Sequence, residues 1–149
     1  MQPDSDNEEQ VGVGGLVPGS MGLEITGSAN LGVFQPGVTR DYTASLAAVA
    51  TSTAAAAELT VHDPATGTTG KLVNGAHALA QPLQVNADGG AFVPVGGNTP
   101  PRTRLAKWVG PFSGKNVTIG FKQSIAANDQ LLTGAYGKVL TFTLSPTAP

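Results

Sequence analysis

Between positions 117 and 125 the odd residues Val117, Ile119, Phe121 and Ile125 are apolar, while Thr118, Gly120, Lys122 and Ser124 fall between them. Successive side chains of an extended chain point to opposite faces, so this two-residue period predicts a strand with one face buried. Positions 136 to 144 repeat the pattern, with Tyr136, Leu140, Phe142 and Leu144 on one face and Thr141 and Thr143 opposite. Ala57, Leu59 and Val61 alternate with Glu58, Thr60 and His62 until Asp63-Pro64 supplies a turn signal. A fourth run, from 42 to about 51, sets Tyr42, Ala44, Leu46, Ala48 and Ala50 on one side. Weaker runs at 23–26, 31–34, 71–73, 83–87 and around 105–109 bring the expected count to about seven to nine strands.

No segment carries the 3.6-residue period that a helical crossover between parallel strands needs. The alanines at 54–57 are too few to sustain a helix and read as loop and strand start. Short strands at close spacing between turn signals predict an all-β chain, folded as an antiparallel immunoglobulin-like β-sandwich. Residues 1–20, with acids, Gly and Pro and hardly any apolar periodicity, read as a flexible N-terminal arm, and 21–149 as the sandwich domain. Between 88 and 104 the density of Gly, Pro and Asn predicts a long surface loop enclosing a short extended piece at 91–95.

Composition narrows the core and the partners. Only 5% of the chain is aromatic and 12% charged, so the interior is built mostly from Ala, Val, Leu and Ile. The 20 Gly and 11 Pro suit a fold with many turns. The net charge of -2 is uneven: Asp4, Asp6, Glu8 and Glu9 open the chain, and the other six acids face eight Lys and Arg, leaving about +2. That is too weak and too scattered for a nucleic-acid footprint, so no nucleic acid is expected as a partner. Without Cys, disulfides and thiolate sites are excluded. No run reaches the roughly 20 apolar residues of a membrane span, and the first residues are acidic where a signal peptide would be basic and then apolar.

Residues 117 to 149, VTIGFKQSIAANDQLLTGAYGKVLTFTLSPTAP, resemble the end of a repeated β-sandwich domain of secreted actinobacterial surface proteins. That domain closes with a strand of the form VTIGFKQ, a polar turn, a TG-x-Y step and a final LTFTLS. FQPGVTRDYTASLAAVATSTAAAAELTVHDP at 34–64 and GKLVNGAHALAQPLQVNA at 70–87 are similar to it as well, so the resemblance covers most of the chain from about Leu23. The closing LTFTLSPTAP is distantly similar to the WxL cell-wall domains, but Phe142-Thr143-Leu144 stands where those have Trp-x-Leu, and the single Trp is Trp108. Peptidoglycan attachment is therefore not carried over. The resemblance implies export, a secreted or cell-surface location and a non-enzymatic structural or adhesive module. Its expected partner is a cell-envelope component, a glycan or a protein, with self-assembly possible along exposed strand edges.

Candidate chemistry is thin, and neither an enzyme nor a cofactor is expected. Trp108 and Phe112 flank Gly110-Pro111 and, with Phe92, could form an aromatic platform. With the 88–104 loop this would make a carbohydrate-binding module, the alternative to a structural role; a lone Trp on a sandwich strand is more often core. His62 and His77 lack a second ligand at metal spacing and are expected to be solvated. Gly12-Val13-Gly14-Gly15 opens no helix and reads as linker. Asn86, Asp88, Asn128 and Asp129 carry oxygens suited to calcium, though turn formation is their simpler role. Lys138 shares the parity of Leu140 and Phe142. It is either a desolvated amine able to form an internal isopeptide bond with Asn or Asp, or a strand-end Lys reaching water.

Overall fold

A computed structural model describes residues 8–148. Within them the chain is all β. Its strands are β1 (Met21–Ile25), β2 (Arg40–Ser52), β3 (Ala56–His62), β4 (Val73–Asn74), β5 (His77–Ala78), β6 (Leu83–Ala87), β7 (Val93–Pro94), β8 (Thr103–Val109), β9 (Phe112–Ile125) and β10 (Thr141–Pro146). Seven have five residues or more, while β4, β5 and β7 have two each. No helix among the described residues is long and apolar enough to cross a membrane.

Two antiparallel sheets share one core. The larger runs β1-β2-β9-β6-β7, the smaller β10-β3-β8, and β4 and β5 pair separately. Residues directly paired across antiparallel strands share a face. The pairs Ala48↔Val117, Leu46↔Ile119 and Ala44↔Phe121 therefore put both long strands' apolar parities on the inner side. Leu23↔Ala50 and Val85↔Phe121 extend that face to β1 and β6. From the smaller sheet, Leu59 faces inward between Leu144 and Ala106. Leu59, Val61, Val85, Ile119 and Ile125 are fully or almost fully buried, each worth ~1.5–3 kcal/mol of apolar transfer.

Two of the chain's passages between the sheets lie side by side. Residues 53–55 carry the chain from β2 to β3 and residues 110–111 from β8 to β9, and the Gly110 N–H donates to the Ala55 carbonyl at 2.6 Å. Asp88 and Gly89 both have positive φ, 49° and 75°, and the Gly90 N–H closes the turn on the Ala87 carbonyl at 3.0 Å. This is the turn geometry whose twist matches a two-residue hairpin, so the 88–104 segment opens with a tight β6–β7 hairpin.

Four expectations change. Residues 31–34 form no strand and lie in a loop over the core. The last strand begins at Thr141, so Tyr136 belongs to the loop before it. The strand expected over 117–125 starts five residues earlier, at Phe112. His62 is not solvated: β3 is the central strand of its sheet and both its faces are covered, leaving His62 7% exposed. Residues 8–20 are exposed and carry no strand, and Ser20 is tied to Thr53 at the start of β1. The first seven residues of the expected arm lie outside the described residues.

Candidate functional site

The three aromatic candidates are not brought together. Trp108 pairs with buried Ala57 and Phe112 with buried Ser52, so both rings turn inward, edge to face at 5.6 Å between centroids. They bridge the two sheets at one end of the core, and the Lys115 ammonium lies over both, 5.8 Å and 6.0 Å from the ring centroids. Phe92 lies instead beside Lys122, 4.9 Å from its ammonium. Lys122 sits ten residues along β9 from Phe112, about 33 Å at the rise of an extended strand.

The 88–104 segment does build a recess, without Trp108. Pro100, Pro101 and Arg102 lie over the outer face of the smaller sheet and enclose about 510 Å³ with Glu58, Thr60, Arg104 and Thr143. Asn98 Oδ1 accepts from Arg102 Nε at 2.9 Å and Nη2 at 2.6 Å, which fixes the guanidinium at the rim. Hydroxyls, two guanidiniums and one carboxylate border this recess, whose surface is otherwise more apolar than polar.

Asp63 and Lys138 form a buried ion pair, Nζ to Oδ2 at 3.2 Å, with side chains 0% and 6% exposed. Asp63 follows Leu59 and Val61 in parity, which is why it points inward where β3 ends. Its Oδ1 accepts from the Ala65 N–H at 2.9 Å and its Oδ2 from the Gly70 N–H at 2.8 Å. The Lys138 ammonium also donates to the Thr68 carbonyl and hydroxyl, both at 3.0 Å. Burial pushes the Asp63 carboxyl up, but the Ala65 and Gly70 amides and the Lys138 ammonium outweigh it and hold the group below its ordinary value. The Lys138 ammonium is thus enclosed by Asp63 and Thr68 and does not reach water.

This pair is one of several ties holding residues 126–140 to residues 63–78. Val73 and Gly137 exchange backbone hydrogen bonds at 3.1 Å and 3.0 Å. Asn74 Nδ2 donates to the Thr133 carbonyl at 3.0 Å, and His77 Nε2 lies 3.0 Å from the Gln130 carbonyl. The segment is a strap, and what it covers is apolar.

Between strap and sheet lies a pocket of about 1010 Å³. Leu23, Ile25, Leu46 and Phe121 form its floor on the larger sheet, Phe142 closes the smaller-sheet side, and residues 27–36 and 131–140 make the walls. The walls meet through aromatic contacts: Phe34 lies 6.2 Å from Tyr136 and 5.0 Å from Tyr42. The Tyr42 hydroxyl accepts from the Gln35 N–H at 2.9 Å and the Tyr136 hydroxyl from the Leu132 N–H at 2.7 Å, so each ring is anchored to its wall. The pocket opens to solvent through its mouth.

The other polar candidates close turns. Asn86 Nδ2 donates to the Gly90 carbonyl, Asp88 Oδ1 accepts from the Thr118 N–H, and Asp129 Oδ2 accepts from the Ala126 N–H. Gln123, which interrupts the apolar parity of β9, is fully buried and donates to the Gln81 and Ser124 carbonyls. Sequence pattern missed the pocket because its walls come from segments with no period. The Asp63–Lys138 pair was within reach, since in the sequence Asp63 continues the parity of Leu59 and Val61, Lys138 shares that of Leu140 and Phe142, and a buried ammonium needs a carboxylate. The chain matches no protein-family model, no curated protein and no solved structure.

Proposed function

We propose that this chain is a non-enzymatic structural or adhesive module of a secreted or cell-surface bacterial protein, with an immunoglobulin-like sandwich as its scaffold. The observation that carries this reading is the use made of the buried charges. Asp63 and Lys138 neutralise each other and take four further hydrogen bonds from the surrounding chain, which fastens loops to the sheets. A general base or nucleophile needs an uncommitted lone pair. Rigid sheets presenting pinned loops are what a module that holds a partner requires. The resemblance of residues 117–149 to secreted actinobacterial domains supports the location and the envelope as partner.

A second reading, glycan binding, is favoured by the recess under Pro100 and Pro101, in which the 88–104 segment takes part and whose border carries hydroxyls, two guanidiniums and a carboxylate. One experiment separates the two: co-sedimentation of the purified chain with insoluble actinobacterial cell walls, repeated with Arg104→Ala. Saturable retention that Arg104→Ala leaves unchanged supports adhesion through another surface. Retention that falls at least tenfold in the variant assigns the recess and the glycan reading. A chain that stays in the supernatant overturns both.

A further inference from the structure

We propose that the pocket under the strap is a binding site for a single aliphatic chain bearing an uncharged head. Three features of the pocket select that chemistry. The first is volume and shape: about 1010 Å³, floored by Leu23, Ile25, Leu46 and Phe121, sits at the upper end of the range for sites that enclose a small molecule. The second is charge. Lys138 is the only charged side chain on the lining, and its ammonium is already engaged by Asp63 and Thr68, so the interior offers no free partner to an ionised group. Burying an unpaired charge there would be strongly unfavourable. The third is the lip. Val33, Val139 and Leu132 belong to the pocket lining yet stand 88%, 81% and 51% exposed, so apolar side chains occur at its solvent side as well as on its floor. With polar groups sharing the lining, this fits a molecule apolar along most of its length and polar at one end.

The walls are also preformed. The strap is held by the Val73–Gly137 pair, Asn74, His77 and Lys138, and the opposite wall by Gln35 on Tyr42 and by the Gly32 N–H on Asn30 Oδ1. A ligand entering a pinned pocket orders little further protein, which removes one of the main costs of binding. Ser28, Asn30 and Thr133 sit on the same lining and suit a hydroxyl or ester head at the mouth.

The test uses the full chain and the uncharged fluorophore N-phenyl-1-naphthylamine, whose emission rises in apolar surroundings. The expected result is saturable enhancement, reversed by 1-dodecanol and at least tenfold less readily by dodecanoate above pH 8. Displacement by 1-monododecanoylglycerol as well as by dodecanol assigns a single-chain ester lipid, and displacement by dodecanol alone assigns a free alcohol. Leu31→Arg, on a half-buried wall position outside any strand, is expected to weaken probe binding at least tenfold while circular dichroism shows the variant still folded. Leu46→Trp, which fills the floor, is the second blocking variant. No enhancement with the folded wild-type chain, or equal enhancement in folded Leu31→Arg, overturns the proposal. Probe uptake and cell-wall retention are separate measurements, so failure of one reading leaves the other standing.

Discussion

Replacing Lys138 by methionine is expected to lower the stability of the fold by about 3 kcal/mol, the low end of the ~3–5 kcal/mol range for breaking a buried ion pair. The low end applies because Asp63 would keep its two backbone donors, Ala65 and Gly70, and would not be left bare. Removing both charges together, with Asp63→Ala and Lys138→Met, should cost less than the two single losses added, since neither ion is then stranded. The pair also sets an acid limit. The Asp63 carboxyl lies below its ordinary value in the folded chain, so the unfolded chain takes up the proton first as pH falls. The stability this group contributes is complete above about pH 4, its unfolded value, and drains away as pH drops through the lower folded value. In Lys138→Met one of the lowering influences is gone while burial remains, so the folded value moves up towards the unfolded one and the acid loss carried by this group shrinks. Urea denaturation from pH 3 to pH 7 reads both effects, as a lower midpoint at neutral pH and a shallower fall of the midpoint towards pH 3 than in the wild type.

Leu59→Ala is expected to cost about 2–5 kcal/mol, and Val139→Ala less than about 0.5 kcal/mol, although both remove methyl groups from an aliphatic side chain. Leu59 is wholly buried on the central strand of the smaller sheet, between Leu144 on β10 and Ala106 on β8. Hydrogen-bonded strands on both sides keep the backbone from closing on the space, so most of the cavity should persist. Val139 stands 81% exposed on the strap and shares little contact with the core. Equal effects at the two sites, read from paired denaturation curves, would mean that the smaller sheet does not pack as described.

Much of this architecture was legible in the chain because half-buried strands write their orientation into every second residue. Tyr42 to Ala50 on β2 and Val117 to Ile125 on β9 carry that period cleanly, and they are the two long strands at the centre of the larger sheet. Legibility fails where burial does not follow the period. His62 looks like a solvent-side residue, yet the far face of β3 is covered by neighbouring chain. Gln123 looks like a gap in an apolar row and is instead an inward amide that caps two carbonyls. Tyr136 has the right parity for the last strand, but its hydroxyl and ring are engaged in the pocket wall, and pairing with β3 begins only at Thr141.

The aromatic residues teach the same lesson for the site. Spacing put Trp108, Phe112 and Phe92 within one candidate platform, but strand register sends the first two inward at one end of the core and leaves Phe92 far along β9 beside Lys122. The pocket depends on residues 27–36 and 131–140, which no periodic signal marks, and on side-chain ties across 70 residues of sequence, such as Lys138 to Thr68.

The claim that joins fold to function is that the strap is fastened to the sheets, with Lys138 as its main tie. Amide hydrogen exchange, compared residue by residue between wild type and Lys138→Met, tests it most directly. The account predicts slow exchange at Gly70, Val73 and Gly137 in the wild type, marked acceleration at these three in the variant, and unchanged protection along β2 and β9. Fast exchange at Gly70, Val73 and Gly137 in the wild-type chain, or no local change on losing Lys138, would contradict it.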